Sequence, residues 1–278
     1  MGRSREAAVS VAHATVRPFN EEADKVGYVR GMGAVLQLLE KAKRDGRKLL
    51  AVLVDPDLGE QGDLLERTVQ NACTAKADLI LVGGSLLTST AFDACVRKVK
   101  QLSAGRPVVL FPGSPTQLSA HADAVLFLSL ISGRNPELLI GHHVTAAPTV
   151  RALGLEAVPT GYMLVDGGRP TTASYVSQSH PIPSDKPGVA CAVAMAGELL
   201  GLRSIYLDTG SGAMNTVQPE MIHAVRGCVD LPIIVGGGVN DAQTARSLCE
   251  AGADVLVVGT AFERDPELVF ALSEAVHA

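Results

Sequence analysis

The sequence predicts an α/β protein, a modified TIM (β/α)8 barrel with one irregular connection. Three observations support this fold: short apolar runs recur along the chain, amphipathic helical segments separate them, and several runs end abruptly in glycine. A short apolar run that is stopped by glycine is typical of a buried strand opening into a tight loop. Alternation of such strands with helices predicts parallel strands whose C-terminal loops face one pocket.

The length fits one large domain. The chain has 278 residues, and a barrel of this type takes about 250. We expect residues 1–27 to form an N-terminal arm and residues 28–278 to form a single barrel domain. Although 47% of the residues are hydrophobic, no apolar run reaches the roughly 18 residues of a membrane-spanning helix.

Charge and cysteine usage narrow the functional classes. The formal net charge is −5 and no basic cluster is present, which argues against nucleic acid as a partner. The five cysteines are scattered and lack metal-ligand spacing. We therefore expect free thiols in a reducing compartment and a cytoplasmic protein.

The first part of the chain follows a regular β/α alternation. Apolar residues at Val35, Leu38, Leu39 and Ala42 have helical spacing, and this helix is expected to cover the bottom of the barrel. The predicted elements are a helix at 33–44, a strand at 48–54, a helix at 62–75, a strand at 78–82, a helix at 91–100 and a strand at 107–111.

The alternation breaks after the third strand. Only residues 115–121 separate it from a fourth strand at 124–130, so a short turn replaces the third outer helix. A helix at 136–146 and a fifth strand at 156–164 follow. The segment 165–187 is rich in proline, glycine, serine and threonine, which predicts a long loop over the active face. Loops of this length are uncommon unless they are functional.

The C-terminal part returns to the regular pattern. We predict strands at 204–207, 232–235 and 254–258. The predicted helices are at 188–200, at 219–227, which begins with proline, and at 241–251, with Asn240 or Asp241 as N-cap and Gly252 as the C-terminal stop.

Glycine-rich loops after the last predicted strands indicate a phosphate site. The pairs Gly236-Gly237 and Gly259-Thr260 end two consecutive strands. Glycine allows the backbone to approach a ligand closely and to direct bare N–H groups at it. In (β/α)8 barrels the loops after the last two strands are the usual phosphate site. After the sixth strand, Tyr206 and Ser211 can hydrogen-bond a ligand, while Gly210 and Gly212 provide the bend.

Asp208 is the acidic residue within this glycine-rich stretch. A carboxylate beside a phosphate-binding loop can accept a proton from a substrate hydroxyl, which makes Asp208 the candidate catalytic base. The alternative is that Asp208 only caps the amides of its own loop.

Asp55 and Asp57 follow the first strand, on the face where such barrels hold their sites. Carboxylates near several phosphate oxygens predict a Mg²⁺ site, because Mg²⁺ takes one or two carboxylates, phosphate oxygens and waters. Ser85, after the neighbouring strand, can supply a hydroxyl to the same ion. The alternative is that Asp55-Pro56-Asp57 is simply a turn.

The helix at 188–200 consists mostly of small apolar residues. It either packs tightly against the barrel or leaves an apolar groove for a long chain. Tyr162, at the end of the fifth strand, can line that groove or the polar end beside it. For His142-His143 we favour a solvated helix surface over a metal pair, because adjacent helical residues point about 100° apart.

Seven motifs together resemble the geranylgeranylglyceryl phosphate synthase family, which includes heptaprenylglyceryl phosphate synthases. The motifs extend from the first strand onward, and the length and the loop with Pro181-Ile-Pro183 resemble the larger of its two groups. They are Val54-Asp-Pro-Asp57, Val82-Gly-Gly-Ser85, Arg134-Asn-Pro-Glu137, Pro159-Thr-Gly-Tyr162, Tyr206-Leu-Asp-Thr-Gly-Ser-Gly-Ala213, Val235-Gly-Gly-Gly238 and Gly259-Thr260.

The resemblance implies a modified TIM barrel without the regular third helix. It also implies transfer of a prenyl group, geranylgeranyl, from its diphosphate to the third-carbon hydroxyl of sn-glycerol 1-phosphate, releasing pyrophosphate and forming the first ether bond of a lipid. Asp55 and Ser85 match the Mg²⁺ ligands of the family. The residues that match its glycerol phosphate site are Tyr206, Leu207, Asp208, Thr209, Gly210, Ser211, Gly212, Gly236, Gly237, Gly259 and Thr260.

The chain departs from the family at one position, since the family usually carries glutamate where this sequence has Asp208. The shorter side chain reduces the reach of the proposed base by one methylene. The resemblance also implies a homo-oligomer, either a dimer or a hexamer. Because one substrate is a lipid precursor, we expect at most transient contact with a membrane surface.

Two other functions fit parts of the pattern. One is a phosphate-barrel isomerase or aldol-type lyase, although none of the predicted strands ends in the lysine that a Schiff-base lyase requires. The other is a catalytically silent protein that binds a phosphorylated metabolite. The presence of Asp55, Ser85 and Asp208 on one face argues against the silent protein.

Overall fold

The structure is a computed structural model, and it describes residues 33–57, 63–88, 90–259, 261–262, 265 and 267–278. The predicted arm at residues 1–27 lies outside the described residues, so the division into arm and barrel stays a prediction. Eight parallel strands pair in sequence order and close into a barrel, because the last strand pairs with the first. The predicted fold is confirmed.

Each strand overlaps a predicted one, and the fourth and fifth match the prediction at both ends. The strands β1 to β8 are Leu49–Val54, Leu79–Val82, Val108–Leu110, Ala124–Leu130, Glu156–Leu164, Ser204–Asp208, Ile233–Gly236 and Val255–Val258. Five of them, β2, β3, β6, β7 and β8, are buried at every position, as expected for parallel strands covered on both faces.

Helices surround the barrel except between β3 and β4, where all the connecting residues are described and none is helical. The predicted replacement of the third outer helix by a turn is therefore confirmed. The helices α1 to α9 are Ala34–Asp45, Leu64–Thr74, Phe92–Leu102, His142–Ala152, Thr172–Ser177, Pro187–Leu199, Pro219–Arg226, Ala242–Ala251 and Leu268–His277. None of these described helices combines the length and apolarity needed to cross a membrane.

Three helical features differ from the prediction. The helix predicted at 136–146 begins with a π-helical turn, Glu137–Gly141, and then continues as α4 through Ala152 with Pro148 inside it. The short helix α5 interrupts the predicted long loop, where Thr171 forms a capping box with Ser174. The C-terminal helix α9 was not among the predicted elements.

The core has an inner and an outer layer. Alternate strand residues point into the barrel and pack together with α1, whereas the others pack outward under the remaining helices. The five cysteines are free, as predicted, and three of them are buried in the outer layer.

Helix α1 closes the bottom of the barrel, as predicted. Its residues Val35 and Leu39 are at most 2% exposed and pack against the inner layer. The carboxylate of Glu156, at the start of β5, accepts hydrogen bonds from the N–H groups of Val35 at 2.9 Å and Leu36 at 2.8 Å. A side chain distant in sequence thus caps α1, which has no side-chain cap of its own at Gly33.

We expect Glu156→Ala to lower the free energy of unfolding by about 1 kcal/mol, the usual value of a lost helix cap. Urea unfolding of the whole chain measures this change. Glu156→Gln keeps one acceptor oxygen and should lose less, and Glu274→Ala, at an exposed position of α9, should lose almost nothing. Equal losses for Glu156→Ala and Glu274→Ala would contradict the capping role.

Candidate active site

A polar cavity of about 270 Å³ lies at the C-terminal ends of the strands, where residues after β1, β2, β6, β7 and β8 meet. Most of the site residues predicted from the sequence line it. They are Asp55, Ser85, Tyr206, Asp208, Ser211, Gly212, Gly237 and Gly259.

Four other predicted residues support this cavity without lining it. The side chain of Leu207 points outward into the core beneath the helices. Gly236 leaves room for the Tyr206 ring, because a Cβ there would lie 2.5 Å from the Tyr206 hydroxyl. The remaining two are the buried Thr209 and Gly210. Thr260 lies outside the described residues.

Asp208 lies at the end of β6 and is only 6% exposed, yet it lines the cavity. Both of its carboxylate oxygens accept a hydrogen bond. The Tyr162 hydroxyl donates to Oδ2 at 2.6 Å, and the N–H of Gly210 donates to Oδ1 at 2.8 Å. Asp208 therefore caps its own loop, as the alternative predicted, and it also faces the cavity. Its role as a catalytic base stays a prediction.

Burial raises the pKa of Asp208 above its usual range, and the hydrogen bonds from Tyr162 and Gly210 partly oppose that rise. A carboxylate with a raised pKa is a better proton acceptor than an ordinary exposed aspartate. A buried carboxyl with a perturbed pKa in a cavity is typical of a functional site.

The loops after β6 and β7 contact each other closely. Gly237 has a positive φ of 83°, and a Cβ there would lie 2.9 Å from the N–H nitrogen of Gly210. Only glycine fits this position without strain. Ser211, Gly212 and Gly237 of these two loops line the cavity, and glycine-rich loops commonly bind anions through backbone N–H groups.

Asp55 and Ser85 both line the same cavity, on the side of β1 and β2. Asp55 Oδ1 accepts the N–H of Asp57 at 2.9 Å, while Oδ2 faces Gly84. Asp57 has a different role, because its carboxylate accepts the hydroxyl of Thr88 at 2.7 Å and so joins the two loops.

The described residues contain no group of three or more His, Cys, Asp or Glu suited to a metal. One carboxylate and one hydroxyl nevertheless fit Mg²⁺, which usually completes its coordination with phosphate oxygens and waters. Burial raises the pKa of Asp55, with the nearby charge of Asp57 adding to the rise and the hydrogen bond from Asp57 opposing it.

A second cavity of about 110 Å³ adjoins the polar one, and Gly84, Ser85 and Phe111 line both. Its other lining residues are mainly apolar and come chiefly from β4, β5, the π-helical turn and α5. They include Leu128, Leu130, Leu138, Tyr162, Ala173 and Val176.

Three aromatic rings lie between the two cavities. Phe111 stacks on Tyr206 with ring centres 5.2 Å apart, and Tyr162 contacts both rings edge-on at 5.9 Å and 5.5 Å. Tyr162 therefore has two neighbours at once, the apolar cavity and the carboxylate of Asp208. The sequence predicted only the first.

The small residues of α6 pack against the barrel, which is the first of the two alternatives. Ala190, Cys191, Ala194 and Gly197 are buried, and a Cβ on Gly197 would lie 2.9 Å from Ile131. The prediction of a solvated surface at His142-His143 is wrong. Both side chains are half-buried, and His143 packs edge-on against the Phe127 ring at 4.5 Å.

Arg169 also lines the cavity, although no sequence motif indicated it. It lies in the segment predicted as a loop over the active face, and its guanidinium donates a hydrogen bond to the carbonyl of Gly212. The sequence predicted that the segment 165–187 covers the active face. It could not assign Arg169 to the cavity, because that depends on the path of the segment.

Comparison with known proteins identifies the family. Residues 45–276 match the PcrB family. The chain belongs to that family. A geranylgeranylglyceryl phosphate synthase of Chitinophaga pinensis is 52% identical over 237 residues, which cover 85% of this chain and 93% of the relative. One from Korarchaeum cryptofilum is 41% identical over 244 residues, which cover 87% and 99%.

Solved structures agree with this membership. The (S)-3-O-geranylgeranylglyceryl phosphate synthase of Thermoplasma acidophilum, in complex with sn-glycerol-1-phosphate, has a TM-score of 0.81 and 32% identity, covering 89% of this chain and 99% of that one. The tryptophan synthase of Mycobacterium tuberculosis has a TM-score of 0.56 at 16% identity, covering 88% and 99%, and shows the barrel fold alone.

The raised pKa of Asp208 makes stability depend on pH in a defined direction. Because ionisation of the buried carboxyl is unfavourable, the free energy of unfolding of wild type falls as pH rises from 3.8, the ordinary pKa of an aspartate, through the raised pKa of the folded state. Asp208→Asn cannot ionise, so we expect its stability relative to wild type to increase over that range. Urea unfolding at a series of pH values measures the difference.

A matched control is Asp45→Asn on the surface. The hydrogen bond from Lys41 lowers the pKa of Asp45, so that variant should lose relative stability as pH rises. A pH-independent difference between wild type and Asp208→Asn would contradict an ionisable, buried Asp208.

Proposed function

We propose that this protein transfers a geranylgeranyl group from its diphosphate to the third-carbon hydroxyl of sn-glycerol 1-phosphate. The observation that carries the proposal is the buried carboxylate of Asp208, facing a polar cavity that adjoins an apolar one. The PcrB family membership and the Thermoplasma acidophilum complex with sn-glycerol-1-phosphate support the same reaction.

The glycine-rich loops after β6, β7 and β8 would hold glycerol phosphate. Ser211, Gly212, Gly237 and Gly259 line this side of the cavity. Backbone N–H groups bind the phosphate oxygens, and the rigid loops fix the position of the free hydroxyl. Tyr206, stacked on Phe111, forms the floor beneath the ligand.

Asp208 acts as the general base. The hydroxyl oxygen attacks the allylic carbon, the bond from that carbon to the diphosphate breaks, and the hydroxyl proton passes to Asp208. The hydrogen bonds from Tyr162 and Gly210 hold the carboxylate in place, which supports this role for an aspartate where the family usually has glutamate.

Asp55 and Ser85 would hold Mg²⁺ at the opposite side of the cavity. The ion supplies charge neutralisation to the leaving pyrophosphate. The protein's own contribution there is Asp55 Oδ2, which faces the cavity at Gly84 while Oδ1 is held by Asp57.

The apolar cavity would take the prenyl chain. Leu128, Leu130 and Val176 offer apolar walls, and Phe111 and Tyr162 border the junction with the polar cavity. Aromatic rings at that junction keep water away from the reacting carbon, and their faces favour the positive charge that develops as the diphosphate leaves.

Neither alternative function is favoured. The relatives with high coverage are geranylgeranylglyceryl phosphate synthases, whereas the lyase-type barrels are similar in fold alone. The oligomeric state, the cytoplasmic location and any transient contact with a membrane surface stay predictions. Native mass spectrometry would distinguish a dimer from a hexamer.

The test is incubation with sn-glycerol 1-phosphate and prenyl diphosphates of several lengths, with and without Mg²⁺, followed by mass analysis of the lipids. We expect a prenylglyceryl phosphate only with the metal, and the geranylgeranyl donor should react fastest. A folded sample that forms no product with any donor would refute the proposal.

Two variants at one position serve as controls. Asp208→Asn should lower kcat about 10²- to 10⁴-fold, the usual contribution of a general base, and should still bind glycerol phosphate. Asp208→Glu restores the family's usual residue and should retain activity. Full activity of Asp208→Asn would show that Asp208 is not the general base, but it would leave the proposed transfer reaction standing.

A further inference from the structure

We propose that Arg169 binds the phosphate of glycerol phosphate directly and supplies a side-chain cation to that subsite. This inference rests on the proposed function and adds to it a residue outside the glycine-rich loops. Among the described residues that line the polar cavity, Arg169 carries the only positive charge, whereas Asp55 and Asp208 carry carboxylates.

The charge balance of the cavity calls for such a group. The charged side chains among its described lining residues are one arginine and two carboxylates, so negative charge is in excess when no ion is bound. Glycerol phosphate brings a phosphate monoester, whose repulsion from Asp208 must be offset. A guanidinium suits this task, because its planar set of donors can bind two phosphate oxygens at once.

The guanidinium lies on the glycerol phosphate side of the cavity. It donates to the Gly212 carbonyl in the loop after β6, and a Cβ on Gly212 would lie 3.1 Å from its Nη2 atom. A guanidinium has five N–H donors, so the bond to Gly212 leaves others for a ligand. Arg169, Ser211 and Gly212 all line the cavity.

Residues on both sides of Arg169 contact the loop after β6. The carbonyl of Gly167 accepts the N–H groups of Met214 and Asn215, each at 3.0 Å. On the other side, the Thr171 side chain lies against Gly210, where a Cβ would approach its Oγ1 to 2.5 Å. These contacts preorganise the arginine, which reduces the entropic cost of engaging a ligand.

The alternative is a purely structural role, in which Arg169 only holds the segment 165–187 against the loop after β6 through its hydrogen bond to Gly212. Arg169→Gln separates the two roles, because the glutamine amide can still donate to the Gly212 carbonyl but carries no charge. Arg169→Lys keeps the charge without the planar donor set, so it should lie between wild type and Arg169→Gln. Arg97→Gln, at an exposed position of α3, is the control for loss of one positive charge.

The decisive experiment is calorimetric titration with sn-glycerol 1-phosphate alone, without metal or prenyl donor. We expect Arg169→Gln to weaken binding about 10- to 100-fold, as for a lost hydrogen bond to a charged group, with a smaller salt dependence than wild type. In the transfer assay, KM for glycerol phosphate should rise while KM for the prenyl diphosphate and the thermal midpoint stay unchanged.

If Arg169→Gln binds sn-glycerol 1-phosphate as tightly as wild type and Arg97→Gln do, the inference is overturned and the purely structural role is favoured. A rise in KM confined to the prenyl diphosphate would also overturn it. The proposed function fails separately, when wild type forms no product. Absence of glycerol phosphate binding to wild type would refute both.

Discussion

The inward alternation of side chains along β6 is the constraint on which the site depends. Tyr206 and Asp208 both line the polar cavity, whereas Ile205 and Leu207 pack in the outer layer. Parallel pairing places Tyr162 of β5 beside Tyr206, from where its hydroxyl reaches Asp208. A one-residue shift in the register of β6 would point Asp208 outward into the apolar layer under the helices and break its hydrogen bond with Tyr162. The closed barrel prevents such a slip, because each strand is paired on both sides.

The missing third outer helix has a consequence for the site. The turn that replaces it includes Pro112 and Gly113, which line the apolar cavity together with Phe111. The apolar cavity thus lies beside the irregular part of the barrel, and the polar cavity lies over its regular part. One junction, at Gly84, Ser85 and Phe111, brings the two together. This arrangement suits a reaction that joins a charged substrate to an apolar one.

Most strands were predictable because they are apolar runs that end at glycine, proline or aspartate, although β5 also contains Pro159, Thr160 and Gly161. The cap of α8 was predictable too, since the Asp241 side chain accepts the N–H of Thr244 at 2.8 Å, as its sequence position indicated. The cap of α1 was not, because Glu156 is more than a hundred residues away. The same applies to Tyr162 and Arg169, whose contacts with Asp208 and Gly212 depend on strand register and on a loop path that no local pattern contains.

The proposed mechanism requires that the two substrates occupy adjoining cavities and meet beside Asp208. A crystal structure with sn-glycerol 1-phosphate, Mg²⁺ and an unreactive thio-analogue of geranylgeranyl diphosphate tests it most directly. We expect glycerol phosphate against the loops after β6 to β8, the prenyl chain along Leu128 and Val176, and the free hydroxyl between Asp208 and the allylic carbon. A prenyl chain outside the apolar cavity, or a hydroxyl directed away from Asp208, would contradict the account.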